Sequence, residues 1–357
     1  MNKIHKLEFL CIFFFLTRAA MLGMTTTILM RSSGQDSYLS VLLGIIIGLI
    51  PLAIYIYILN YKPDFNIFEK IKYLFKKSNI LINTLLVSAA LVFASTLFIS
   101  LCDFVNNQYL YETPLFIISL VFIVPLIYTL TKKTEVILHS NLVLFFISSI
   151  LILIAFVTLF PQINIDNLKP FFDVEPNGLL KGALYFASYN ILSLVVVLAI
   201  PKNKVSGLNN KNIVITYFIS LLIVFGILIN TLTILGPNLT AIFDYPSFYV
   251  LKRAELPGFI ERIEGIYSIH WILDIYVSIL MFGLFFKEFL NSYGFNERVK
   301  KKVIIILGIL IIGICSLVTI NRNSMLEFAS NSLLIIILIC LLFIPLLISI
   351  KIKKSND

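Results

Sequence analysis

Ten long apolar stretches fill this chain of 357 residues and leave little room for anything except membrane-spanning helices. A helix rises about 1.5 Å per residue, so each stretch can cross most or all of a bilayer core about 30 Å thick. Hydrophobic residues make up 59% of the sequence, far above the balance of a soluble domain. We therefore predict an all-α integral membrane protein with ten spans, numbered in order at residues 7–30, 38–60, 80–103, 114–130, 137–159, 179–200, 212–235, 264–290, 303–320 and 329–350.

Small, polar or flexible residues interrupt spans 1 and 6, which occupy the same place in the two halves of the chain. Paired interruptions of this kind indicate discontinuous helices, whose unpaired backbone groups can bind a ligand near the bilayer midplane. We expect one transmembrane domain over residues 1–357, built from a 5+5 inverted repeat (1–159 and 179–350) with discontinuous helices 1 and 6. The two halves show no recognisable sequence identity.

Lysine and arginine are distributed unevenly between the two sides of the predicted spans. Twenty lie at the termini and on the connections of the same side, seven lie on the opposite side, and Arg18 lies within span 1. The excess marks the cytoplasmic side, so both termini should be cytoplasmic. Topology and anionic lipid account for the net charge of +9, and we expect no nucleic-acid partner.

Motifs for catalysis or for metal binding are missing from the sequence. We find no His, Cys and carboxylate cluster with zinc spacing, no glycine-rich phosphate loop after a strand and no nucleophile elbow. We therefore expect neither enzymatic activity, nor a metal, nor a cofactor.

Two connections carry structure of their own. Residues 66–77 place Ile67, Ile71 and Leu74 on one helical face and most charged residues, including Lys70, elsewhere, which predicts a helix on the cytoplasmic leaflet. The outer connection 236–264 is the longest loop, and a short helix in it should begin at 245–247 and end at 257–258.

Several short segments, in order along nearly the whole chain, resemble the B subunit of spore germinant receptors, also called the spore germination permease family. They are Gly34-Gln35-Asp36 with Ser37-Tyr38-Leu39, Glu112-Thr113-Pro114, Lys132-Lys133-Thr134-Glu135-Val136, Leu235-Gly236-Pro237 with Tyr245-Pro246, and Phe259-Ile260-Glu261-Arg262-Ile263-Glu264 leading to Trp271. The five-plus-five arrangement is likewise similar to that of the amino acid, polyamine and organocation permeases.

The resemblance implies a receptor subunit that binds a small germinant, an amino acid by expectation, and triggers spore germination. Its implied partners are a larger membrane A subunit and a lipid-anchored C subunit (a lipoprotein) in the spore inner membrane. A proton-coupled amino acid transporter in the bacterial cell membrane is the alternative. Sugars, nucleosides and bile-salt-like ligands also remain open.

Arg18 lies about eleven residues into span 1, near mid-depth, where a charge costs at least roughly 2.5–3.5 kcal/mol and needs a partner or an aqueous cavity. Asp274 lies at similar depth in span 8 and is the expected partner. Sodium-coupled permeases hold a sodium ion between these two spans, so the pair would make sodium unnecessary. An ion pair with a purely structural role explains Arg18 equally well.

His270, Asp274 and Ser278 share one face of span 8, because they are spaced four residues apart. His270 could couple protons, although a hydrogen-bonded structural histidine is the favoured interpretation. The candidates for ligand binding lie at the two breaks and are Thr17, Arg18, Gly23, Met24, Thr25, Tyr185, Ser188, Tyr189 and Asn190. Ordinary helix packing explains the two tyrosines about as well as ligand binding does.

The charge asymmetry generates a topological prediction. A membrane-impermeant thiol reagent applied to intact cells should label cysteine at Asn238 and should not label cysteine at Lys354. Labelling of position 354 from outside would overturn the cytoplasmic placement of the termini.

Overall fold

The computed structural model describes residues 4–21, 25–171, 173–253, 264–318 and 327–356. Two short strands, β1 (Ile4–His5) and β2 (Val205–Ser206), form a parallel pair. The α-helices are α1 (Lys6–Ala20), α2 (Thr26–Ser33), α3 (Ser37–Ile47), α4 (Leu49–Asn60), α5 (Ile67–Phe75), α6 (Asn79–Gln108), α7 (Leu115–Leu130), α8 (Thr134–Leu159), α9 (Pro176–Phe186), α10 (Asn210–Ile242), α11 (Pro246–Leu251), α12 (Glu264–Ser292), α13 (Glu297–Val318), α14 (Leu334–Ile337) and α15 (Ile344–Asn356).

The predicted all-α membrane class is confirmed, and every predicted span falls mainly on helix where it is described. Seven helical runs among the described residues are long and apolar enough to cross a membrane: Thr26–Asn60, Ile67–Gln108, Thr134–Gln162, Pro176–Ala199, Asn210–Ile242, Ser268–Ser292 and Ala329–Ser355. Leu115–Leu130 is a shorter apolar helix. The count of ten crossings stays a prediction.

Spans 1 and 6 are interrupted in the structure. In span 1 the α-helix ends at Ala20 and begins again at Thr26. In span 6, α9 gives way to a π-helical turn, Ala187–Ile191, and then to a 3₁₀ helix, Leu192–Ala199. The π turn and the 3₁₀ helix are buried throughout and pack against α1, which itself lies against α8, α10 and α12. The break in span 6 therefore packs against the first half of span 1.

Glycines on α9 and serines on α2 and α3 allow these helices to approach one another closely. Gly178 and Gly182 lie one turn apart on α9, where Gly178 faces the Ser32 backbone and Gly182 faces Ser33 and Ser40. Ser33 Oγ donates to the Gly178 carbonyl at 3.1 Å, and Ser40 Oγ donates to Ser33 Oγ at 2.7 Å. Small residues bring helices close together in membranes, where hydrophobicity does not drive helix association. The second half of span 1 is thereby tied to the first half of span 6.

The α10 helix is kinked at Gly236 and Pro237. Gly236 has φ +78°, a left-handed conformation that favours glycine, and Pro237 lacks the N–H that would bond to the Thr233 carbonyl. Asn164 N and Asn167 Nδ2 donate to that carbonyl instead, at 3.1 and 2.7 Å. The segment after α8 thus satisfies the backbone group that the kink releases.

The predicted short helix of the outer connection is present as α11, and it ends at Leu251, earlier than we predicted. Tyr245, just before it, packs edge-on against Phe104 and Trp271, and its hydroxyl donates to the Asp103 carboxylate. These contacts fix the outer helix on α6 and α12. Residues 257–258, proposed as its end, lie outside the described residues, as does 262.

The predicted cytoplasmic helix forms as α5, but the placement of Lys70 on its polar face was wrong. Lys70 is buried, and its Nζ donates to the carbonyls of Ile58 and Leu59 in the last turn of α4, at 2.8 and 3.4 Å. Lys72 Nζ likewise donates to the Ser292 carbonyl at the end of α12, at 2.8 Å. The two lysines satisfy helix carboxyl ends that would otherwise lack partners.

The close approach of α9 predicts that Gly182→Ala is destabilising. A Cβ there would collide with Ser33 Oγ and lie 2.7 Å from Ser40 Oγ, and overpacking typically costs about 1–3 kcal/mol. Thermal unfolding in detergent should therefore occur at a lower temperature. Gly313→Ala on α13 is the matched control, because a Cβ there meets nothing within 4 Å. Equal shifts for both variants would contradict the packing argument.

Candidate functional site

A buried ion pair joins three helices at the centre of the protein. Arg18 Nη2 on α1 donates to Asp274 Oδ1 on α12 at 2.9 Å, and Arg18 Nε lies 2.9 Å from Oδ2 as a charge contact without hydrogen-bond geometry. Ser148 Oγ on α8 donates to the same Oδ1 at 2.6 Å. The predicted pairing of Arg18 with Asp274 is present, and Ser148 is a third member that we did not predict.

The pair is sealed from solvent, since both side chains are 0% exposed. One charge-assisted hydrogen bond and one close charge contact join the pair, and each charge offsets part of the cost of burying the other. Arg18 Nη1 is buried without a hydrogen-bond partner in the described structure. The site therefore holds one donor that a further group could use.

The break in span 1 satisfies part of its own backbone. Thr25 Oγ1 donates to the Ala20 carbonyl and Thr26 Oγ1 donates to the Met21 carbonyl, at 2.8 and 2.9 Å. Each threonine hydroxyl thus bonds to a carbonyl five positions earlier in the chain, at the end of α1. Two further candidates lie outside the described residues, namely Gly23 and Met24.

The break in span 6 touches span 1 directly. Asn190 Nδ2 donates to the Thr17 carbonyl at 2.5 Å, which brings two predicted site residues together. Asn190 Oδ1 and the neighbouring Ser188 Oγ are buried and have no hydrogen-bond partner among the described residues. Buried polar atoms normally find a partner, so these two mark where a bound molecule would supply one.

The two tyrosines of the site bond to the last span. Tyr185 OH donates to the Ser330 carbonyl at 3.2 Å, and Tyr189 OH donates to the Ala329 carbonyl. Both carbonyls belong to the π-helical turn Ala329–Leu333, which opens span 10. The hydroxyls therefore link the two spans, and this partner was missed because nothing local in the sequence indicates it.

The three residues predicted on one face of span 8 have different roles. Asp274 alone meets Arg18, because Ser278 Oγ donates back to the Asp274 carbonyl at 2.8 Å. His270 is buried and lines a small cavity of about 40 Å³ that also contains Ser247 and Asn230. His270 therefore faces this cavity, one helical turn before Asp274 on α12.

The described candidates around the breaks form a closed polar centre. Thr17, Arg18, Thr25, Ser188 and Asn190 are each at most 1% exposed. In the part of the chain that the structure describes, no group of three or more His, Cys, Asp or Glu side chains could hold a metal ion. These side chains are therefore sealed from solvent in this conformation.

Comparison with known proteins gives a consistent family assignment. The model of the Spore_permease family, described as spore germination protein, matches residues 7–325. YfkT of Bacillus subtilis strain 168, a protein named for spore germination, is 25% identical over 341 residues, covering 92% of this chain and 90% of that protein. Spore germination protein XB of Bacillus anthracis is 22% identical over 249 residues, covering 70% and 69%.

Solved structures share the fold at low sequence identity. MhsT in complex with L-phenylalanine aligns with a TM-score of 0.63 and 13% identity, covering 99% of this chain and 100% of that one. A Na⁺-coupled sialic acid symporter aligns with a TM-score of 0.61 and 13% identity, covering 96% and 79%. The chain therefore has the fold of these proteins.

The central pair should behave as one energetic unit. Arg18→Ala and Asp274→Ala should each lower stability by about 3–5 kcal/mol, because each leaves an uncompensated buried charge. The double variant should lose less than the sum, as measured by thermal unfolding of the purified chain. Ser278→Ala is the control partner, since its hydroxyl bonds within its own helix, and its effect should add to that of Arg18→Ala. Additive losses for Arg18 and Asp274 would reject the coupling.

Proposed function

This chain belongs to the Spore_permease family of spore germination proteins, and from that premise we propose that it is the membrane subunit of a nutrient germinant receptor. It binds a small germinant at its centre and signals the start of spore germination. One observation carries the proposal: two interrupted spans meet at a sealed centre that retains polar atoms without partners.

The proposed architecture is ten spans in a 5+5 inverted repeat with discontinuous helices 1 and 6. Interruption of the first span between α1 and α2, and of the sixth span after α9, supports this arrangement. Discontinuous helices in corresponding places of two repeats are the usual setting of a substrate site in such folds. Both termini are assigned to the cytoplasm.

The proposed ligand is an amino acid held between the two breaks. The amino end of α2 would attract the ligand carboxylate, while the carboxyl ends of α1 and α9 would face its ammonium group. Ser188 Oγ and Asn190 Oδ1 would supply hydrogen bonds, because their own structure leaves both without partners. The ligand would thereby satisfy buried atoms that now go unpaired.

We propose that the Arg18 guanidinium, paired with Asp274, takes the position between spans 1 and 8 that a sodium ion holds in sodium-coupled permeases. A guanidinium fixed between spans 1 and 8 by two contacts to Asp274 holds the positive charge permanently. Binding on this assignment needs no sodium ion.

The proposed partners are a membrane A subunit and a lipoprotein C subunit, and the proposed location is the spore inner membrane. Both expectations follow from family resemblance. Two elements are placed to transmit a change of state to such partners. They are the outer connection with α11, fixed through Tyr245, and the cytoplasmic α5, fixed through Lys70 and Lys72.

A proton-coupled amino acid transporter is the second candidate. The fold shared with MhsT and with a sodium-coupled symporter favours it, since those structures hold small solutes in the same architecture. Both functions need the same broken helices, so the distinction lies in whether bound solute crosses the membrane.

Ligand binding and flux, measured on the purified chain in vesicles, should separate the two functions. With a panel of radiolabelled L-amino acids, the receptor should show saturable binding to at least one of them, with little net uptake, equally in sodium and in potassium buffers. Rapid proton-driven accumulation without any partner subunit would establish the transporter instead.

The same assay tests the site. Ser188→Ala should raise the concentration for half-maximal binding by roughly tenfold or more, the effect of losing a hydrogen bond to a charged group. Ser88→Ala on α6 is the matched control, because Ser88 is exposed and bonds to its own helix. Equal affinity of both variants would remove Ser188 from the site.

A further inference from the structure

An open cavity of about 570 Å³ lies above the central site, between the outer halves of spans 1 and 6 and the start of span 10. Its volume falls within the range of pockets that hold small ligands. The residues that line it include four with charged side chains, namely Arg31, Glu175, Lys181 and Glu327. We call this cavity the outer vestibule.

The vestibule presents charges of both signs. Arg31 and Lys181 supply two cations, and Glu175 and Glu327 supply two carboxylates, all of them exposed to solvent. The ion pairs found among the described residues involve other groups, so none of these four charges is neutralised by a direct pair there. All four are therefore available to a solute.

Charge selection at the centre itself is weak by comparison. The formal charges described there, Arg18 and Asp274, already neutralise each other through two contacts. The central polar atoms without partners on span 6, Ser188 Oγ and Asn190 Oδ1, are uncharged. A solute meets unpaired formal charges in the vestibule, before it reaches the buried centre.

Tyr185 forms the floor of the vestibule. Its ring lines the cavity, and its hydroxyl donates to the Ser330 carbonyl at 3.2 Å. Tyr189, one turn further in, bonds to the Ala329 carbonyl and is 5% exposed. The buried Ser188 and Asn190 lie beyond this floor, so the vestibule and the centre are separate sites in this conformation.

We propose that the outer vestibule is a solute subsite that selects small zwitterions, molecules carrying one ammonium and one carboxylate group. A zwitterion can face cations with its carboxylate and carboxylates with its ammonium, whereas a singly charged solute gains one attraction and meets one repulsion. The inference rests on the proposed function, because capture here precedes binding at the centre. The vestibule selects for the two charged groups of the solute, and the solute's side chain is recognised at the central site.

The test uses three probes of similar size: L-alanine, propionate, which lacks the ammonium, and ethylammonium, which lacks the carboxylate. Saturation-transfer NMR at millimolar probe concentration, on the full chain in phosphatidylcholine nanodiscs, should show L-alanine binding several-fold stronger than that of either fragment. Equal binding of propionate or of ethylammonium, or no binding of L-alanine, would overturn the proposal.

Charge variants locate the binding. Arg31→Gln with Lys181→Gln, and separately Glu175→Gln with Glu327→Gln, should each weaken L-alanine binding roughly three- to tenfold, the effect of losing two exposed charge interactions. Lys169→Gln is the control, because that exposed lysine pairs with Asp166 away from the vestibule. Unchanged binding in both double variants would exclude the vestibule.

Ser188→Ala separates this inference from the proposed function. The variant should keep the millimolar binding of L-alanine in the vestibule, because Ser188 lies beyond the Tyr185 floor. Loss of that binding in Ser188→Ala would assign it to the centre and overturn the vestibule subsite. Failure of Ser188→Ala to affect high-affinity binding would instead contradict the central site alone.

Discussion

The buried pair of Arg18 and Asp274 constrains the rest of this structure. Each ion costs several kcal/mol to take out of water, so neither side chain can remain at the centre without the other. Because Ser148 joins the pair, helices α1, α8 and α12 are held together at one depth. The inner half of span 1 thus belongs to that frame, while its outer half, α2, is attached to α9 through Ser33 and Gly178. The break in span 1 lies between two differently anchored halves.

A helix break in a membrane must satisfy its own backbone, since lipid offers no hydrogen bonds. Thr25 and Thr26 donate to the carbonyls of Ala20 and Met21, and Asn190 donates to the Thr17 carbonyl. Asn167 does the same at the α10 kink. Beside these bonded groups, Ser188 Oγ and Asn190 Oδ1 are among the buried polar atoms without a partner in the described structure, and a ligand site requires atoms of this kind.

The depth of a residue along its span was the sequence signal that best predicted contacts between spans. Arg18 and Asp274 could be paired because both lie about ten residues into their spans, and the same count applied to span 5 would have found Ser148. The break in span 6 was placed near residue 185 by its polar residues, and α9 ends at Phe186.

The burial of Lys70 could not be predicted, because a polarity pattern assigns lysine to water, whereas its long side chain reaches the carbonyls that end α4. The tyrosine bonds to span 10 depend on packing between residues 140 and 145 positions apart in the sequence, which no local pattern encodes.

A fixed guanidinium has a consequence for how such a protein could work. A sodium ion can enter and leave with each cycle and so drive transport, whereas Arg18 cannot leave its place between α1 and α12. If this pair takes the place of a coupling cation, a change of state must be driven by the ligand itself. A ligand shifts such an equilibrium only through its different affinity for the two states. On the proposed function, opening the centre toward the vestibule would break the hydroxyl bonds of Tyr185 and Tyr189. A ligand that satisfied Ser188 and Asn190 would offset that cost once the centre had closed again. Binding energy used to close a site favours occupancy over release, which is the behaviour expected of a receptor.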